Sequence, residues 1–127
     1  AVPKRKGFRP LTVPWHTLKG NMPGDPRGEL MPEHYRTYRE YLDFAKSEGV
    51  SVVLYTSPRY GDNRPDHENI VYQLAQEANV PYWNFNSDTL SWDTTYFSDP
   101  VHVSPKGADW LSAGLADSLQ RHRAYWE

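Results

Sequence analysis

Asp99 and His102 stand three positions apart in "FSDPVHVSPKGADWLSAGLADSL" (Phe97–Leu119), just ahead of a helix-start signal. A carboxylate that accepts a histidine ring N–H fixes the imidazole tautomer and supports the imidazolium formed during proton transfer. A hydrolase uses this pairing to activate a serine, and such general-base assistance is worth roughly 10²–10⁴ in rate. Pro100 confines Asp99 to an extended backbone, while Ser104 and Pro105 read as an N-cap and a first helical position. Both side chains are thereby expected at a rigid loop-to-helix junction. The same spacing also suits a local hydrogen bond that only organises the helix entrance.

A nucleophile is harder to find. Ser57 follows an apolar run, at the end of a strand where ligands gather in α/β proteins. It lacks the Gly-x-Ser-x-Gly elbow and is followed by Pro58, so it reads as a turn serine. Ser98 and Ser104 lie too close in sequence to His102 for a comfortable attack, and Ser104 is better used as a cap. With no cysteine, thiolate nucleophiles, disulfides and Cys-based zinc sites are excluded, and any redox compartment stays open. His16, His34, His67 and His122 show no His-x-x-x-His spacing, so no metal and no cofactor are expected.

Three further residues are candidates for substrate binding. Any of Trp15, Trp83, Trp92, Trp110 and Trp126 could belong to a sugar-stacking platform, and Trp92, in the loop "SDTLSWDTTYF", is the best placed, near the Asp-His pair. Arg59 and Tyr60, at a strand's carboxyl end, are placed to border a cleft. The structural alternatives are a core aromatic for Trp92 and an exposed loop pair for Arg59 and Tyr60.

The elements that must position these residues follow from periodicity. Pro32 opens a helix whose stripe is Tyr35, Tyr38, Leu42 and Ala45, widened by Tyr41 and Phe44 and ended by Gly49. "VSVVLY" (Val50–Tyr55) reads as a strand buried on both faces. A second helix starts near Pro65, with Asp66 and Glu68 in its first turn. It turns Ile70, Val71, Leu74, Ala75 and Ala78 inward and stops at Asn79. "VPYWNF" (Val80–Phe85) is a second strand, and the last helix buries Ala108, Leu111, Leu115 and Leu119. Strand, helix, strand implies a right-handed parallel crossover. Two parallel strands with long unpaired edges are unfavourable alone, so these residues read as the later half of a larger α/β sheet.

The 127 residues suit one modest domain, with 14% aromatics offsetting few aliphatics. Residues 1–31 are Pro- and Gly-rich and read as an extended segment or functional loop, with a possible short extended piece at Leu11–Val13. A net charge of −2 gives no broad footprint for nucleic acid or a membrane surface, and Lys4-Arg5-Lys6 with Arg9 reads as a solvated tail. No apolar run approaches the roughly 20 residues of a membrane span, and no signal peptide is visible. The start at Ala1 rather than Met leads to the expectation that something upstream was removed.

"YFSDPVHVSPKGADWLSAGLADSL" resembles the last sequence block of the SGNH (GDSL-type) hydrolases, an Asp-x-x-His, a short polar link, a Gly and a helix. "HYRTYREYLDFAKSEGVSVVLYTSPRY" is similar to that family's preceding helix and strand, particularly in the branch acting on cell-surface polysaccharides and teichoic acids. The resemblance covers Pro32 to Leu119. It implies a three-layer α/β/α fold with a parallel sheet, flavodoxin-like and of SGNH type, of which residues 32–127 would be the C-terminal portion. His102 matches the family's base and Asp99 its orienting carboxylate. The implied reaction is ester hydrolysis or O-acyl transfer on an acylated carbohydrate, with no metal, in a secreted, periplasmic or cell-surface location.

The family's Gly-Asp-Ser block is missing. "PGDPRG" (Pro23–Gly28) has Pro26 where the hydroxyl is needed, the blocks that supply oxyanion donors have no match, and Gly61-Asp62-Asn63 follows the wrong strand. The expected partner is therefore a companion fragment, or the N-terminal part of the same domain, carrying the serine. A non-catalytic carbohydrate-binding or scaffolding module on a degenerate hydrolase fold is the alternative.

Overall fold

The computed structural model describes Trp15 and residues 32–61, 65–86 and 89–127. The readings on residues 1–14 and 16–31, including Leu11–Val13, the "PGDPRG" stretch and His16, lie outside the described residues. So do those on Asp62 and Asn63 and on the side chains of Asp66, His67 and Glu68.

Helix α1 (Pro32–Ser47) ends where Gly49 takes φ +70°, the left-handed conformation that a residue without Cβ adopts freely. Strand β1 (Leu54–Thr56) leads to α2 (Pro65–Ala78). Asn79, at φ 55°, stops α2 in the same left-handed way, and strand β2 (Tyr82–Asn84) follows. The strands pair in parallel, with Leu54 opposite Tyr82, Tyr55 opposite Trp83 and Thr56 opposite Asn84. The chain is therefore α/β, with a short two-stranded parallel sheet among the described residues. Two 3-10 turns (Leu90–Trp92 and Thr94–Tyr96) precede helix α3 (Pro105–Arg121), and a third (Arg123–Tyr125) follows it.

The core joins α1 to α2. Leu42, Leu74 and Ala78 are buried together, with Tyr35, Val52, Leu54 and Val80 packed around them. The Tyr35 hydroxyl donates to Glu77, which also accepts from Gln73 at 2.9 Å, closing the rim of this core. The Tyr35 bond, with help from Gln73, holds the Glu77 carboxyl below its usual value.

Residues alternate sides along a strand, so Tyr55, Trp83 and then Phe85 lie across the sheet from Leu54. Phe85 meets Tyr55 (ring centroids 6.3 Å apart) and Trp110 of α3 (6.4 Å), and Gly114 lets α3 approach this ring closely. Trp83 meets His122 and Trp126. The Tyr125 hydroxyl donates to the Val52 carbonyl at 3.0 Å, fastening the chain's end to the segment before β1.

The structure corrects the sequence reading in three places. Tyr38, Tyr41 and Phe44 are more than half exposed, and it is Leu42, with Tyr35 beside it, that packs on Leu74 and Ala78 of α2. The first strand is shorter than Val50–Tyr55 and is not buried on both faces, since Val50 and Tyr55 are exposed. Leu119 is exposed near the end of α3. Among the described residues no helix is long and apolar enough to cross a membrane.

Leu74, 4% exposed, sits at the centre of the core. Leu74→Ala is expected to lower the unfolding free energy by about 2–5 kcal/mol, as a buried leucine truncation does when its site cannot collapse. Chemical denaturation checks this.

Candidate functional site

Backbone geometry explains the Asp-x-x-His spacing. Phe97 and Val103 face each other in an isolated antiparallel bridge, so the five residues between them form a tight reversal. The Ser98 N–H donates to the His102 carbonyl at 2.8 Å, closing that reversal. Inside it, Asp99 Oδ1 accepts the N–H groups of Val101 and His102, both at 2.9 Å. An aspartate readily bonds the backbone two and three residues ahead in this way. The same carboxylate then meets His102 Nδ1, at 2.8 Å from Oδ2 and 3.0 Å from Oδ1.

A carboxylate only accepts, so Nδ1 carries the proton and Nε2 of the neutral ring keeps its lone pair. Among the described residues the His102 ring bonds to Asp99 alone. The Asp99 side chain is 6% exposed and the His102 side chain 58%, so the anchor is buried while the imidazole is open. Burial pushes the Asp99 carboxyl up, but the bonds from the Val101 N–H and from the His102 ring and N–H outweigh it and hold the group below its usual value.

The start of α3 is packed against this loop. Ser104 Oγ accepts the Gly107 N–H at 3.2 Å and donates to the Thr95 carbonyl at 2.7 Å. A Cβ at Gly107 would fall 2.1 Å from the Tyr96 carbonyl oxygen, so only glycine permits this approach. Lys106 bonds Thr95 Oγ1 at 2.9 Å and covers the Tyr96 ring at 4.1 Å.

The loop after β1 closes on the same place. The Tyr60 N–H donates to the Pro100 carbonyl at 3.1 Å, and the Gly61 N–H to the Ser91 carbonyl at 2.7 Å. Asn86, just past β2, accepts the Arg59 N–H at 3.3 Å and the Ser91 hydroxyl at 2.8 Å on one oxygen. The carboxyl ends of both strands, the Asp-His loop and the first 3-10 turn are thus tied together by main-chain and amide bonds. The Tyr60 ring meets Trp92 and Phe97 edge-on, each at 5.9 Å.

Tyr60, Asp99 and His102 therefore converge, and Trp92 is joined to them through Tyr60. Arg59 is placed beside them by its main-chain bond to Asn86. Trp92 is 58% exposed, which sets it apart from the core-aromatic alternative. Asn86 went unread in the sequence: it was legible by the strand-end rule that picked out Ser57 and Arg59, but it was passed over within a polar loop. Trp15, whose ring lies 4.4 Å from Tyr60, stood in the sequence only as one of five tryptophans able to stack on a sugar, with no local signal tying it to this place.

No described serine hydroxyl is hydrogen-bonded to His102, where the imidazole could take its proton. Ser104 is committed to its cap, Ser91 is buried on Asn86, and Ser57 has no bond to the imidazole. Ser98 is fully buried and, among the described residues, its hydroxyl has no partner. Among the described residues no cluster of three or more His, Asp or Glu side chains is suited to hold a metal ion. Comparison of the chain with family models, with curated proteins and with solved structures finds no match.

Asp99→Asn tests the anchor. The amide oxygen still accepts from the backbone, but the amide nitrogen donates to Nδ1 and drives the ring proton to Nε2. Nitrogen-15 NMR should show Nδ1–H in the wild type and Nε2–H in the variant. The depressed Asp99 pKa stabilises the fold above the ordinary aspartate value, and this contribution is lost as pH falls from about 4 toward the folded-state value. The variant should accordingly lose less stability in acid than the wild type does.

Proposed function

We propose that this chain is the base-bearing part of an SGNH-type serine esterase or O-acyltransferase acting on acylated carbohydrate. The supporting observation is the buried Asp99 carboxylate holding Nδ1 of an open His102 at 2.8 Å, beside the carboxyl ends of two parallel strands. In the proposed reaction His102 Nε2 takes the proton of a serine hydroxyl as the oxygen attacks the ester carbonyl. It then returns the proton to the leaving alkoxide, while Asp99 supports the imidazolium. The serine is carried by a companion fragment or by an N-terminal part of the same domain, outside the 127 residues. On this reading β1 and β2 are later strands of a three-layer, flavodoxin-like parallel sheet, and the protein works in a secreted, periplasmic or cell-surface setting. Trp92, Tyr60 and Arg59 border the substrate.

One observation favours a second reading. Among the described residues no serine hydroxyl reaches His102, as in a carbohydrate-binding module on a degenerate hydrolase fold. A serine-reactive phosphonate separates the two. The complete protein should be labelled, and His102→Ala should slow labelling by about 10²–10⁴. Labelling at an unchanged rate in the variant would remove His102 from the role of base.

A further inference from the structure

We propose that Trp15 is a ligand-binding residue, forming with Tyr60 and Trp92 an aromatic wall that packs on a pyranose ring held beside His102. The proposal rests on the carbohydrate reading above and adds a contact far from the Asp-His loop in sequence. The Trp15 ring lies 4.4 Å from that of Tyr60, inclined by 52°. Tyr60 is edge-on to Trp92 on one contact and to Phe97 on another, each at 5.9 Å. Tyr60 is thus the hub, and its main chain is bonded to Pro100 within the His102 loop at 3.1 Å.

Exposure distinguishes the members of this cluster. Phe97 is 1% exposed and serves as its floor, Tyr60 and Trp15 are half-buried, and Trp92 is 58% exposed. Scattered exposed aromatics such as Tyr38 and Tyr41 are ordinary, but here three partly open rings touch one another in a chain, Trp15 to Tyr60 to Trp92. Trp15 is inclined by 52° and Trp92 by 68° to the Tyr60 ring, so the three make an angled apolar wall, and the Tyr60 main chain ties it to the loop that carries the open imidazole. Gly61, at φ +66°, lets the β1 loop turn under the Trp92 indole, where a Cβ would lie 3.6 Å from the ring. The Gly61 bond to Ser91 then fixes the indole's own turn to the loop.

The matching ligand has an apolar face as wide as an indole and hydrogen-bonding groups at its rim. The C–H face and ring hydroxyls of a pyranose meet both demands, and the ester to be cleaved would lie toward His102.

The test titrates the complete protein with a partly O-acetylated xylo-oligosaccharide, followed by tryptophan fluorescence and calorimetry. Trp15→Phe should bind within about threefold of the wild type. Trp15→Leu, apolar but without a π face, should weaken binding about tenfold, as should Trp15→Ala. Wild-type affinity in Trp15→Leu would overturn the proposal, as would equal losses in Trp15→Leu and Trp15→Phe. If only Trp92→Ala loses binding, Trp15 is mere packing and the carbohydrate reading survives. If the wild type does not bind the oligosaccharide, both the wall and the substrate class fall. His102-dependent phosphonate labelling stands independently of either result.

Discussion

One carboxylate organises this region. Asp99 is buried and accepts two main-chain N–H groups and an imidazole, so the loop from Phe97 to Val103 is wound around its charge. Burying an anion without such partners is prohibitive, and with them the ionised form is favoured. The loop cannot relax without stranding the charge. His102 therefore inherits its position and its tautomer from the same bonds. An exposed histidine on a flexible loop would have neither.

The rest of the described chain fixes where that loop stands. Ser104 and Gly107 seat α3 directly on the turn at Thr94–Tyr96, with no space for even one methyl group between them. Asn86 joins the ends of the two strands to the turn bearing Trp92, and Tyr60 bonds the loop itself. The α1–α2 core is remote from this chemistry and acts through the sheet, holding Leu54 and hence the strand from which Arg59 and Tyr60 depart. Stability and site geometry are carried by different residues, which lets substitutions probe them separately.

The features legible in the sequence were those with local causes. Ser104-Pro105, Gly49, Asn79 and the Asp99–His102 spacing each encode backbone geometry within a few residues, and each has the form read from it. Amphipathic stripes were less reliable. Tyr38, Tyr41 and Phe44 share the apolar character of Leu42, but only tertiary packing decides which of them α2 covers. Long-range contacts were the least legible. Trp15 meets Tyr60 across 45 positions, and nothing near either residue encodes that meeting. Asn86 acts through one amide oxygen shared by two segments, a role that composition does not reveal.

The chemistry of this arrangement turns on the atom that faces His102 Nε2. In an esterase or acyltransferase it is a serine oxygen, with Asp99 behind the ring and the aromatic wall beside it. The most direct measurement is a crystal structure of the complete, phosphonate-treated protein. The account predicts a phosphonylated serine whose Oγ lies about 2.6–3.2 Å from His102 Nε2, with Nδ1 still on Asp99. A structure in which no serine is modified, or in which the modified serine lies beyond reach of His102, would contradict it.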